Sequence, residues 1–353
     1  MALEAPSQCA TCAKPASSKC NGCKINVYGD KGCQALDWAK HKATCKIMQL
    51  ENKLSRIAVM IHEAYLTFRE NTWDTPIKRI EERPDALILH DGEQALKQQH
   101  FIDFPHKLIN NPQSKMAVLC TLTCNEPLAW MHDLLEGLIK GLPVIIEEVE
   151  VGLQRIPRKV TAVHPSGVRQ DNWPNHSHFV HRVTHTKSKR QWVLDITGGQ
   201  FGICTPFWDW DTYNLRFIGA SRPIKAYPCG TNKAILHELG KLDGNPALVY
   251  GLTGEVAGEM YKTCLEFEKS CALTLPALIE LPESKYAAQK KVLLDTITMA
   301  ICNYKKKYKG EHKAMLQNVR AYEKKFPGLS AVECHNAHQQ LLARSIHSTI
   351  RMV

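Results

Sequence analysis

Seven residues near the start of this chain have the types and spacing that bind a soft metal ion: Cys9-x2-Cys12, Cys20-x2-Cys23, Cys33 and His41-x3-Cys45. A Cys-x-x-Cys pair lets two thiolates from one tight turn reach the same Zn2+ at about 2.3 Å, and a His-x3-Cys pair sets imidazole and thiolate on one face of a helical turn. Six of the 14 cysteines fall within the first 45 residues. The opening MALEAPSQCATC lacks the charged-then-apolar pattern of a signal segment, so the chain is expected to be intracellular, in nucleus or cytoplasm, and the clustering predicts metal ligation before disulfides. A head this short has little apolar material for a core without metal.

The same residues, with Tyr28 and the stretch Cys33-Gln34-x-x-Asp37-Trp38-x-x-His41-x3-Cys45, resemble the MYND-type zinc finger, whose ending is C-Q-x-x-D-W-x-x-H-x3-C. The resemblance implies two interleaved zinc ions. Cys20, Cys23, His41 and Cys45 make one complete site. Cys9, Cys12 and Cys33 make another that lacks a ligand, because Gly29 follows Tyr28 where the family has a cysteine. Its fourth position is left to water, to Asp30 or to nothing, so one firm zinc and one weakened zinc are expected. The family also implies protein binding, commonly to proline-containing peptides, and a role in transcriptional control. Trp38 has two readings, the wall of a peptide groove or the large core residue of the finger. The finger's basic residues are dispersed lysines, which is not the pattern of a base-reading helix. Asn175-His176-Ser177 resembles part of the signature of SET methyltransferases, some of which carry a MYND finger. The cysteine that should follow is His178, and the later acidic motif is not found.

A second constellation lies in the body. Thiol enzymes need a cysteine at the start of a helix, where the dipole helps hold the thiolate, with a histidine base and an Asp or Asn to orient it. Cys124 precedes a segment expected to be helical, 128–140, which ends in Gly141-Leu142-Pro143; His178 lies on one expected strand and Asp195 near the end of the next. Over residues 118–202 this order resembles the transglutaminase-like and papain-like core. That resemblance implies catalytic roles for Cys124, His178 and Asp195. Two details depart from it: the Gly-Leu-Pro turn places the nucleophile nearer Glu126, and Thr123 stands where a glycine usually precedes the cysteine. Taken individually, Cys124 is a small buried residue, His178 a hydrogen-bonded histidine and Asp195 an acid that bonds the amides of turn 196–199. A Cys124–His178 separation beyond about 8 Å ends the enzyme reading.

Several elements must position these residues. Ile47, Leu50, Leu54, Ile57, Ile61, Tyr65 and Leu66 recur at helical spacing directly after the cysteines. Residues 72–92, with Pro76 and Pro84, are expected to be extended or looped. Segments 143–153, 178–185 and 191–197 have strand composition, and 187–190 supplies a polar hairpin turn. Residues 255–271 and 284–325 are expected to be helical, and the aromatics of 207–213 to pack on the sheet as a capping loop. The fold class expected is α+β, divided as 1–46 zinc finger, 47–84 helix and linker, 85–280 mixed-sheet domain and 281–353 helical region.

At 353 residues and 44% hydrophobic content the chain has ample material for a core, and no apolar run reaches the roughly 18 residues of a membrane helix. Its net charge of +10 is unevenly placed. Residues 1–46 carry +4 and 301–326 carry +6, while 47–300 carry −1, which argues against a uniformly basic nucleic-acid surface. The run 304–309 is the densest basic patch and the one candidate contact for nucleic acid, although a charge run on a long helix is usually a solvated face. These observations predict a zinc-binding regulatory or adapter protein that engages a protein partner, with a cysteine-dependent hydrolase or acyl transferase as the alternative.

Overall fold

The computed structural model describes residues 8–93, 99–219 and 224–350. It divides into two compact units, Met1–Ile57 and Ala58–Val353. In the first, a short antiparallel hairpin, β1 (Ser18–Lys19) with β2 (Val27–Tyr28), precedes α1 (Lys31–Asn71), which runs on into the second unit. Asp30 starts this helix, its Oδ1 accepting the Cys33 N–H at 2.7 Å, an N-cap contact that satisfies one of the unpaired amides of the first turn. The core of the first unit is made of cysteines around Tyr28, 1% exposed, with Ala16 and Met48 packed against it.

In the second unit, residues expected to be extended or looped form the hairpin β3 (Ile77–Glu82) and β4 (Ala86–Asp91). They belong to a four-stranded sheet, β3-β4-β6-β7, in which β4 runs parallel to β6 (Lys159–Val163) and β7 (Arg169–Asp171) closes the edge. Against this sheet packs α2 (Pro112–Leu119), capped by Asn111, whose side chain accepts the Ser114 N–H. The expected helix 128–140 is instead two short helices, α3 (Glu126–Trp130) and α4 (His132–Ile139).

The site rests on a five-stranded antiparallel sheet of order β10-β9-β8-β5-β11, from β5 (Val144–Val151), β8 (His178–His185), β9 (Gln191–Leu194), β10 (Phe207–Asp209) and β11 (Lys225–Pro228). Alternation along each strand sends Val149, Val180 and Val193 to one face, where they meet Trp210, Tyr213 and Phe217 of α5 (Trp210–Phe217). The aromatic stretch 207–213 is thus an edge strand and a helix start, with its larger rings in the core. The β8–β9 hairpin turns through 186–190 with Lys189 at φ 60°.

The C-terminal half is helical: α6 (Thr231–Leu239), α7 (Thr253–Cys271), α8 (Leu275–Glu280), α9 (Glu283–Lys307), α10 (Lys309–Lys325) and α11 (Leu329–Ile350). The long basic helix expected over 284–325 breaks at Tyr308 into α9 and α10. Sheets followed by helices make this an α+β fold. No helix among the described residues is long and apolar enough to cross a membrane.

Candidate functional site

The turn after β1 presents Cys20 and Cys23, and one turn of α1 presents His41 and Cys45. All four are buried, with ligand atoms within 4.8 Å of one another. Cys20 Sγ lies 3.7 Å from Cys45 Sγ, and Cys23 Sγ 3.5 Å from His41 Nε2. A zinc tetrahedron with Zn–S of about 2.3 Å and Zn–N of about 2.0 Å has S···S edges of about 3.8 Å and S···N edges of about 3.5 Å. The cage therefore fits Zn2+ as it stands. Its surroundings fit as well: the side-chain amides of Gln34 and Gln49 point at the sulfurs of Cys20 and Cys45, at 3.7 and 3.3 Å. The Asn26 amide lies 3.2 Å from His41 Nδ1. The atom at that distance is Asn26 Nδ2; with Nε2 on the metal, Nδ1 carries the proton, and the Asn26 amide turned end for end presents its oxygen as the acceptor that fixes the ring.

Cys9, Cys12 and Cys33 form the second group, with Cys12 Sγ and Cys33 Sγ 3.9 Å apart and Cys12 exposed. Asp30, one of the alternatives for the fourth position, caps α1 through Oδ1, and the Cys33 amide holds its carboxyl below the usual range. A Cβ at Gly29 would meet nothing within 4 Å. The corner where a fourth ligand belongs is open.

The thiol candidates are positioned by different elements. Register pairs Val151 with His178 at the β5/β8 end, and β9 delivers Asp195 just past Leu194. His178 Nε2 lies 2.8 Å from Asp195 Oδ1, with both side chains fully buried. Burial opposes a charge on His178, but the Asp195 charge and hydrogen bond, with the Cys124 side chain, outweigh it and raise the imidazole to about 9. His178 Nδ1 has no hydrogen-bond partner among the described residues, and Cys124 is the side chain near enough to act on it. The Cys124 thiol itself donates to Ser177 O at 3.5 Å. Cys124 is half-buried and packs with Leu342 of α11 against Leu128, Phe179 and Tyr227.

Among the described residues the Asp195 carboxylate is bonded by side chains, His178 and Tyr213, in place of the expected amides of turn 196–199. Its second oxygen accepts the Tyr213 hydroxyl at 2.8 Å. Sequence reasoning placed Tyr213 in a capping loop and missed this contact; the only signal was an aromatic hydroxyl at a core position, which needs a partner. The loop carrying Cys124 is gripped by Gln200, whose Oε1 accepts the N–H of Leu122, a residue at φ 56°. Gly198 and Gly199 allow these approaches: a Cβ at the first would overlap the Asp195 carboxylate, and at the second the Met116 side chain of α2. Glu126, the alternative position by spacing, is partly buried beside Tyr65 and Arg69, and desolvation pushes its carboxyl up to about 7. A 220 Å3 cavity is lined by Thr121, Leu122, Thr123 and Glu126 together with Arg69 and Asp74; Cys124, His178 and Asp195 are not part of its lining.

The family model of the MYND finger matches residues 9–45. That segment is a MYND finger. A 68-residue stretch of the chain is 35% identical to the "SET domain and MYND-type zinc finger protein 6" of Schizosaccharomyces pombe, covering 18% of this chain and 14% of that protein. No solved structure matches.

The MYND finger belongs to a class of protein-interaction modules. It leaves Ile25, Leu36 and Trp38 exposed, at 51%, 76% and 41%. Trp38 is therefore not the core residue of the finger; Tyr28 takes that place, its hydroxyl bonded to Asp37 at 2.6 Å. The basic run 304–309 is also not one solvated face. Lys305 donates to Asn71 O and lies over the Phe101 ring, and the Tyr304 hydroxyl donates to Glu255.

Proposed function

We propose that this protein is a thiol-dependent acyl- or amide-transfer enzyme that its MYND finger brings to protein partners. The observation that carries the reading is the buried Asp195 on His178 Nε2, with Nδ1 left for Cys124. In this reading the His178 imidazolium pairs with a Cys124 thiolate, which attacks a carbonyl carbon of the substrate. The tetrahedral adduct collapses to a thioester as His178 gives its proton to the leaving amine. Water or a second amine then attacks the thioester, His178 takes its proton, and the thiolate is restored. Asp195 holds the ring and favours its charged form, and Tyr213 holds Asp195.

Exposed Leu36 and Trp38 support the partner side of the proposal: apolar and aromatic groups on the first turns of a zinc-anchored helix suit a proline-containing peptide. The zinc thiolates fit a reducing intracellular compartment, and a role in transcriptional control is part of this proposal. The test is a thiol-directed acyl probe and a panel of amide and ester substrates with the full chain. Turnover that is lost in Cys124→Ala and survives chelation supports the enzyme. No turnover, with peptide binding lost in Trp38→Ala at unchanged zinc content, leaves an adapter. Methyl transfer from S-adenosylmethionine overturns both.

A further inference from the structure

The face of the five-stranded sheet opposite Val149 and Val180 carries another group of ligand-type side chains. His132 opens α4, Glu148 stands within β5, and Cys229 follows β11; one ligand atom from each lies within 4.8 Å of the others. His132 Nδ1 is 3.8 Å from Cys229 Sγ, close to the S···N edge of about 3.5 Å in a zinc tetrahedron. His132 and Glu148 are buried, and Cys229 is half-buried. Glu148 Oε2 accepts both donors of Asn232, whereas Oε1 accepts only the Gly230 N–H, at 2.7 Å, and keeps a lone pair.

His181 supplies an independent observation. It stands opposite Glu148 in the β5/β8 register, so the two side chains leave the sheet on one face, and His132 is near enough to act on its ring. His181 is 1% exposed, and neither ring nitrogen has a hydrogen-bond partner among the described residues. Burying such a group unpaired costs on the order of 1–3 kcal/mol, and a bound ion or water removes that cost.

We propose that His132, Glu148 and Cys229 bind a zinc-class divalent cation, with His181 beside them as a further donor. Imidazole, thiolate and carboxylate together select Zn2+ over the hard cations, which prefer oxygen alone. Binding replaces the thiol proton of Cys229, which is released to solvent. Asp133 and Gly230, the chain neighbours of His132 and Cys229, line a 670 Å3 cavity that gives the ion an entry path. Once bound, the ion ties α4, β5 and the turn between β11 and α6 together. The site shares no residue with the finger or with Cys124, His178 and Asp195, so it stands or falls separately from the proposed function.

The test measures zinc in the full chain after dialysis, for the unmutated protein and for Cys229→Ser and His132→Gln. Each variant is expected to hold one metal fewer per chain, and that loss adds to the loss caused by Cys20→Ser in the finger. In the unmutated chain, alkylation of Cys229 by iodoacetamide, read from its peptide by mass spectrometry, is expected to be about tenfold slower with zinc than after chelation. Unchanged zinc content in folded variants, with Cys229 alkylated equally fast before and after chelation, overturns the site and leaves His181 to bound water. If the variants do not fold, the alkylation of the unmutated chain decides alone.

Discussion

His178 Nε2 and Asp195 Oδ1 lie 2.8 Å apart, and neither side chain is exposed. The ion pair is dry, and it holds the imidazole near 9 against the opposing effect of burial, so the ring is charged at neutral pH. Everything proposed for Cys124 depends on that charge.

The first consequence is kinetic. Cys124 stands beside the His178 imidazolium and is expected to react with iodoacetamide at pH 7 faster than exposed Cys271, the internal reference. The advantage fades above about pH 9, where His178 loses its proton. Asp195→Asn removes the charge that raises His178 and so slows Cys124 at pH 7. Equal rates for Cys124 and Cys271 in the unmutated chain contradict the arrangement.

The same pair makes stability depend on pH. The folded value of His178, about 9, lies above the unfolded value of about 6.5, so its contribution is complete below about pH 6.5 and lost as pH rises through about 9. Its size is on the order of 3 kcal/mol. Urea midpoints are expected to fall between these pH values for the unmutated chain and to change less in His178→Gln.

Tyr213→Phe deletes one donor to a buried carboxylate and leaves the ring packing in place. The expected loss is about 1–3 kcal/mol in equilibrium unfolding. An unchanged unfolding midpoint means that the hydroxyl does not support Asp195.

At the finger, Gly29→Cys places a thiol where a Cβ meets open space, beside Cys9, Cys12 and Cys33. The variant is expected to hold a second zinc against a chelator that strips it from the unmutated chain, while the zinc at Cys20, Cys23, His41 and Cys45 is released at the same rate in both. Identical release profiles for both ions argue that the open corner is not a ligand position.

The sequence alone determined the zinc ligands. Cys-x2-Cys and His-x3-Cys spacings are properties of single turns, so ligand geometry is encoded locally, while the interleaving of the pairs was what the resemblance to the MYND-type finger implied. The strand composition of 143–153 and 178–185, rich in β-branched and aromatic residues, likewise marked the sheet. The two-residue offset at Cys124 was visible too, but its meaning was not: that depends on the turn through Leu122 at positive φ, held by Gln200 from far along the chain. Tertiary structure decided the rest. Tyr213 on Asp195, the break of the basic helix at Tyr308, and the meeting of His132 with Glu148 and Cys229 each join residues whose chain neighbours carry no record of the contact. A period in the sequence reports which face is buried, not which buried partner stands across from it; that choice is made by register and packing, when strands and helices distant in the chain close on one another.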